Sequence, residues 1–317
     1  MRNKPTLREI AERVGVSAAT VSLVINEKGN ISEETRLRIK TIVRQSGYRR
    51  RPPGDTIAYA GRISAGLTRH LQQAAAEYGY GLREVSLALD GNPSILSLPE
   101  GLSGIVIHGG QWSEDLLEKL SAKRPTVLLG GSIPSIHVDS VWIDNAEAIY
   151  GAAKRLISCG HRHIGFVNGP EDTITSWEKR TGFERAIKAH PHVVGLVVGT
   201  KRFSREDGQT AARELVTRLP AVDAVIAGEA GIAISVLDVL HELGMGVPHD
   251  VSVIAFHDRE LLMTTSPPLT AIDLREGDIA REAIKRLLGR IQTPTTLGKR
   301  LLLKPIIKER LSVRDRD

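Results

Sequence analysis

Between Thr56 and Phe256, apolar runs of strand length alternate with stretches of helical spacing, and this alternation narrows the fold further than any other feature of the chain. Residues 56–60, 104–108, 125–130, 163–168, 194–199, 222–227 and 251–256 read as strands buried on both faces, because their apolar residues run together instead of alternating with polar ones. Helical spacing intervenes at residues 67–78, 114–122, 146–158, 178–189, 206–218 and 232–243. A strand that returns parallel to its predecessor needs a crossover, and a helix supplies it. The alternation therefore predicts parallel sheets with helices on both faces, divided into two α/β lobes. Sheets of this kind bind ligands at the carboxyl ends of their strands, so a cleft between the lobes is expected.

The first fifty residues follow a different rule. Leu7, Ile10, Ala11 and Val14 fall at i, i+3, i+4 and i+7 on one helical face, with Thr6 placed to cap the helix. Gly15 breaks it. Ser17 can then accept from the free N–H groups that open a second helix, whose inner face is Val21, Val24 and Ile25. A third helix is signalled by Ser32 as cap, Glu33 and Glu34 near its positive end, the apolar set Leu37, Ile39, Ile42 and Val43, and Gly47 as terminator. This predicts an all-α head of three helices, a helix-turn-helix over residues 1–50. In such a unit the start of the second helix enters the DNA major groove, which selects Ala18, Ala19, Thr20 and Ser22, with Leu23 one turn along. A three-helix protein-interaction module would use the same spacings.

Charge favours DNA. Residues 1–51 carry twelve Lys or Arg against five Asp or Glu, a net charge of +7, which leaves the remainder at −1 of the chain's total of +6. A cationic module on a near-neutral body suits a phosphate backbone, whose condensed counterions it releases. The apolar runs lie far below the roughly 20 residues of a membrane span. No apolar stretch of signal-peptide length follows Met1, and the single Cys159 excludes an internal disulfide framework, so a cytoplasmic protein with no membrane partner is expected.

The head resembles the lactose and galactose repressor family in Thr6-Leu7-Arg8-Glu9-Ile10-Ala11, Gly15-Val16-Ser17-Ala18-Ala19-Thr20-Val21-Ser22, Asn26, Ile31-Ser32-Glu33-Glu34-Thr35-Arg36 and Gly47-Tyr48. The resemblance continues in Val141-Trp142-Ile143-Asp144-Asn145, in residues 160–167, in Arg180-x-Gly182-Phe183, in Val251-Ser252-Val253-Ile254 and in Pro267-Pro268-Leu269-Thr270. It implies a transcriptional regulator, with repressor activity as the expected role, and a body similar to periplasmic sugar-binding proteins. It also implies a homodimer on double-stranded operator DNA and a small-molecule effector such as a sugar, sugar acid or sugar phosphate. The expected organisation is residues 1–50 as the head, 51–56 as a short basic linker and 57–317 as the effector and dimerisation domain. The DNA-contacting set is Thr6, Ser17, Ala18, Ala19, Thr20, Ser22, Leu23 and Asn26.

The chain departs from the family pattern that it resembles in several places. Leu23 stands where relatives often have Arg, and the linker Arg49-Arg50-Arg51-Pro52-Pro53-Gly54-Asp55 interrupts any hinge helix with two prolines and a glycine. Arg49, Arg50 and Arg51 could instead follow phosphates or enter a minor groove, or form a solvated charge run. In the effector cleft, Arg180 and Phe203 match the family's ligand-holding arginine and stacking aromatic. Glu229 and His257 replace the family's usual Asn and Asp, and His108 is the candidate from the first lobe. A body that has no effector and serves as a dimerisation or co-regulator docking platform is the alternative. A solute-binding or sugar-modifying protein is a third class that the lobed body alone could support.

No nucleophile elbow, phosphate-binding loop or dinucleotide fingerprint occurs, so neither enzyme activity nor a cofactor is expected. His161 with His163, and His190 with His192, lack Cys or carboxylate partners at ligand spacing in the sequence, and no metal is expected.

Overall fold

The structure is a computed structural model that describes residues 7–25, 31–46, 56–61, 64–85, 99, 101–108, 112, 114–130, 138–293 and 297–316. The chain divides into two compact units, Met1–Asp55 and Thr56–Asp317.

In the first unit the described helices are α1 (Leu7–Val14), α2 (Ala18–Ile25) and α3 (Glu33–Ser46). Ile10, Ala11, Val14, Val21, Val24 and Ile39 form its buried cluster, with Val16, Ile31, Ile42 and Val43 packed around them. Gly15 ends α1 at φ +74°, where a side chain would be strained. Leu37, expected on the inner face of α3, is 69% exposed. It precedes the buried Ile39 by two positions, about 200° around a helix of 3.6 residues per turn, so the two cannot share a face.

The second unit contains two six-stranded sheets. The first is built from β1 (Thr56–Ala60), β2 (Gly81–Glu84), β3 (Leu102–His108), β4 (Thr126–Leu129), β5 (Asp139–Ile143) and β11 (Arg300–Leu303), in the order β11-β5-β4-β3-β1-β2. Every pairing in it is parallel. The second uses β6 (His163–Asn168), β7 (Val194–Gly199), β8 (Ala224–Ala227), β9 (Ser252–Phe256), β10 (Thr270–Asp273) and β12 (Ile306–Lys308), in the order β12-β10-β9-β8-β6-β7. Only its β10–β12 edge is antiparallel.

Helices cover both faces of each sheet, as the alternation requires. In the first lobe α4 (Ala65–Glu77) and α10 (Glu276–Gln292) pack together on one face, around Leu67, Leu71, Ile284 and Leu287, while Leu116, Leu117 and Leu120 of α5 (Glu114–Lys123) cover the other. In the second lobe α6 (Asn145–Ser158) and α7 (Ile174–Lys188) enclose a cluster around Phe166 and Phe183, and α8 (Arg205–Arg218) and α9 (Ala230–Glu242) enclose one around Leu215 and Val236. Helices α6 and α7 approach so closely at Gly182 that an added Cβ would lie 2.0 Å from the Ala146 carbonyl oxygen.

The chain passes between lobes at Asp144, at Leu274–Arg275 and at residues 304–305. This routing explains why the strand–helix rhythm of the sequence does not reveal α10. The helix has clear helical periodicity but belongs to the first lobe, more than a hundred residues after that lobe's other helices, so no local alternation announces it. Strands β2, β5 and β10 to β12 also lie outside the apolar runs that the sequence marks as strands. Trp142 marks the junction, packing against the clusters of both lobes.

Candidate functional site

In the head, Ser17 stands immediately before α2. The Ser17 hydroxyl accepts from the Thr20 backbone N–H at 3.1 Å and lies 2.8 Å from the Thr20 hydroxyl, so it caps α2. Ser17 is exposed, Thr20 is half-buried and Leu23 is 42% exposed, while the intervening Val21 and Val24 point into the core. The outer face therefore offers a hydroxyl and an apolar side chain, suited to phosphate anchoring and to thymine methyl contact. Ala18, Ala19 and Ser22 lie on the same helix. Thr6, Asn26 and Arg49, Arg50 and Arg51 lie outside the described residues.

In the body, the carboxyl ends of β6, β7, β8 and β9 converge at one edge of the second lobe. Phe203, 56% exposed, lies over Gly169, where its Cε1 would be 2.5 Å from an added Cβ. Glu229 turns back to accept from the Gly231 N–H and caps α9. These two share a cavity of about 220 Å³ with Ser204, Arg205, Gly231, Ile232 and Ile234. That is below the ~300–1,000 Å³ of a typical small-molecule pocket, so it can hold part of a ligand.

Arg180 is placed elsewhere. It is 44% exposed, with Nη1 2.9 Å from Glu171 and Nε 2.8 Å from Glu184. Its neighbour Lys179 points inward instead, its Nζ donating to the Gly228 carbonyl at 2.7 Å and lying 3.9 Å from the centroid of the Phe256 ring. Burial pushes the Lys179 pKa down to about 8, against the opposing pull of Glu229 and Glu178. Sequence reasoning missed Lys179. One helical step of about 100° separates it from Arg180, and only packing decides which of two adjacent cations faces the strand ends.

His257 follows β9 in a left-handed conformation (φ 74°), and its Nε2 lies 3.0 Å from Glu276 Oε1 at the start of α10. Burial works against ionisation of Glu276, yet hydrogen bonds from His257 and Ser64, with the charges of His257 and Arg259, hold its carboxyl below the ordinary range. His108 closes β3 with its ring centroid 5.0 Å from that of Trp142. Phe203 and Glu229 thus meet in one cavity, while Arg180, His257 and His108 each occupy a different setting.

The fold also changes the surroundings of one histidine pair. Asp223 lies 3.3 Å from the Nδ1 of the fully buried His161 and 3.9 Å from that of His163, and it accepts from the backbone N–H groups of Arg162 and His163. The carboxylate partner absent from the local sequence is therefore brought in by the fold. Among the described residues, no group of three or more His, Cys, Asp or Glu is arranged to hold a metal ion. No helix among them is long and apolar enough to cross a membrane.

A helix-turn-helix head joined to a body of two parallel α/β lobes defines a class of bacterial regulator, and comparison with known proteins agrees. Residues 6–51 match the bacterial regulatory proteins of the lacI family, and residues 153–313 match the periplasmic binding protein-like domain. The chain belongs to the lacI family of transcriptional regulators. It is 29% identical to the HTH-type transcriptional regulator CelR of Thermobifida fusca, over 96% of each chain. It is 27% identical to the HTH-type transcriptional regulator AscG of Escherichia coli K12, over 94% of this chain and 96% of AscG. Among solved structures, the CelR–cellobiose complex superposes with a TM-score of 0.73 at 29% identity, covering 97% of this chain and 99% of CelR. The lac repressor dimer bound to operator and an anti-inducer shares the fold, with a TM-score of 0.72 at 18% identity, covering 98% of this chain and all of the other.

Proposed function

We propose that this protein is a transcriptional repressor that binds a pseudo-palindromic operator as a homodimer and is controlled by an uncharged carbohydrate held between its lobes. The observation that carries the DNA half is the Ser17-capped α2, with Thr20 and Leu23 on its outer face, within a segment matching the lacI family. The three helices act as one head, with α2 in the major groove. The basic segment of Arg49, Arg50 and Arg51 adds a sequence-independent phosphate or minor-groove contact.

Support for an uncharged ligand comes from the state of the cations. Arg180 is engaged by Glu171 and Glu184, His257 by Glu276, and Lys179 by the Gly228 carbonyl. A sugar acid or sugar phosphate would have to displace a carboxylate partner, whereas hydroxyl groups can join such networks as donors and acceptors. Phe203 supplies an apolar face for a sugar ring. CelR was solved with cellobiose, and cellobiose is the first compound to test.

Selection of binding sites from random duplexes with the full chain should return a two-fold symmetric sequence. Only salt-sensitive binding without sequence preference would reject the operator reading. A thermal-shift series with cellobiose, monosaccharides, uronic acids and sugar phosphates tests the effector, because a ligand of the native state raises its melting temperature. The engaged cations also favour a second reading, in which the body is a dimerisation or co-regulator docking platform. A series with no shift, beside intact operator binding, would select it.

A further inference from the structure

Glu276 is the first residue of α10, just beyond one of the crossings between lobes. Its Oε1 accepts from the Ser64 hydroxyl at 2.8 Å and from His257 Nε2 at 3.0 Å, with Arg259 Nη1 3.9 Å away. Ser64 caps α4 in the first lobe through the Leu67 N–H, whereas His257 and Arg259 follow β9 in the second. One carboxylate oxygen thus joins both lobes. The side chains of His257 and Glu276 are only 15% and 17% exposed, so water competes poorly for the contact.

The backbone supplies an independent observation. Among the described residues, two non-glycine residues have positive φ: His257 at 74° and Arg275 at 54°. One is the donor of the inter-lobe bond, and the other immediately precedes its acceptor. Conformations of this kind are disfavoured for residues with a Cβ, persist where surrounding structure enforces them, and concentrate in switch regions. The Arg275 backbone N–H donates to Asp273 at 2.7 Å and its Nε lies 2.6 Å from Asp278, which fixes the turn that presents Glu276.

We propose that Ser64, Glu276 and His257 form a latch that sets the angle between the lobes, and that effector binding is coupled to DNA binding by drawing His257 away from Glu276. The latch rests on the reading of the inter-lobe region as the effector site for its consequence, but not for its existence. A ligand hydroxyl that joins the network by donating to Glu276 Oε1 takes the place of His257, leaves the carboxylate bonded to Ser64 within its own lobe, and leaves only the 3.9 Å approach of Arg259 to hold the second lobe. The two lobe arrangements then differ in a specific contact, as a ligand-driven shift of population requires.

The test uses the full chain with spin labels at Glu118→Cys on α5 and Thr210→Cys on α8, both exposed, diluted with unlabelled chain so that each measured pair lies within one molecule. Cys159 is 2% exposed and stays unlabelled. Pulsed electron-resonance distances are measured without DNA or sugar, so the outcome is separate from the success of the operator and effector readings. Glu276→Ala and His257→Asn, the latter keeping a residue tolerant of positive φ, should each displace or broaden the inter-lobe distribution. Combining them should add nothing further, since both break the same bond. If Glu276→Ala folds poorly, Glu276→Gln keeps the volume, removes the charge and should displace the distribution in the same direction. Folded single variants that retain the wild-type distribution overturn the latch, as does a double variant whose displacement is the sum of two independent ones.

Discussion

Replacing Lys179 with methionine isolates the cost of placing a cation at the strand ends of the second lobe. Lys179 is 5% exposed, and burial pushes its pKa from 10.5 down to about 8. At about 1.4 kcal/mol per unit, the folded state disfavours the charged form by roughly 3 kcal/mol relative to the unfolded chain. Methionine fills a similar volume without that cost, but leaves the Gly228 carbonyl without its donor and removes the cation from the Phe256 ring. Those two effects are each of the order of 1–3 kcal/mol, so the variant should lie near the wild type at pH 7. The pH dependence separates the terms. Between about pH 8 and 10.5 the unfolded chain still holds a proton that the folded protein has released, so wild-type stability rises with pH in that window. Relative to the Lys179→Met variant, the wild type should therefore gain roughly 2 kcal/mol between about pH 7 and about pH 10. Urea unfolding followed by tryptophan fluorescence reports on the body, because Trp112, Trp142 and Trp177 all lie there. Titrations common to both proteins cancel in the difference. A wild-type-minus-variant stability that stays constant across that range would show that Lys179 is not held in a low-dielectric site.

Four further outcomes are expected. Gly182→Ala drives a methyl group into the Ala146 carbonyl and should cost at least ~2 kcal/mol in urea unfolding, with α6 and α7 forced apart. Ser17→Ala removes the α2 cap and should lower head stability by about 1 kcal/mol, read as a lower melting temperature of the head transition. Substituting Arg49, Arg50 and Arg51 together by Ala should flatten the dependence of log K on log salt by roughly 0.9 for each phosphate that these side chains neutralise, and an unchanged slope would remove the arm from the DNA interface. Phe203→Ala should weaken binding of any sugar found by thermal shift by about tenfold while leaving operator affinity in the absence of sugar unchanged, which fluorescence anisotropy can measure.

The sequence by itself determined the features that depend on neighbours along the chain. The spacing of Ile10, Val14, Val21 and Val24, the Ser17 cap and the Gly15 break specify the first two helices through local periodicity and capping. Apolar runs such as those ending at His108, Asn168 and Phe256 specify parallel strands, because only a sheet covered on both faces buries them. Phe203 and Glu229 are singled out by the family resemblance, the one as a match and the other as a departure, and they follow β7 and β8. Tertiary structure decided what depends on distant partners. Helix α10 joins the first lobe from the far end of the chain, and Glu276 reaches Ser64 across more than two hundred positions. His257, expected to face a ligand, is bonded to that same carboxylate. Lys179 and Arg180 are adjacent cations of which the family motif singles out only Arg180, and packing turned Lys179 onto Phe256 and Arg180 toward Glu171 and Glu184. Periodicity fixes which face of a helix is apolar, but the burial of a single charge depends on what the rest of the fold places above it.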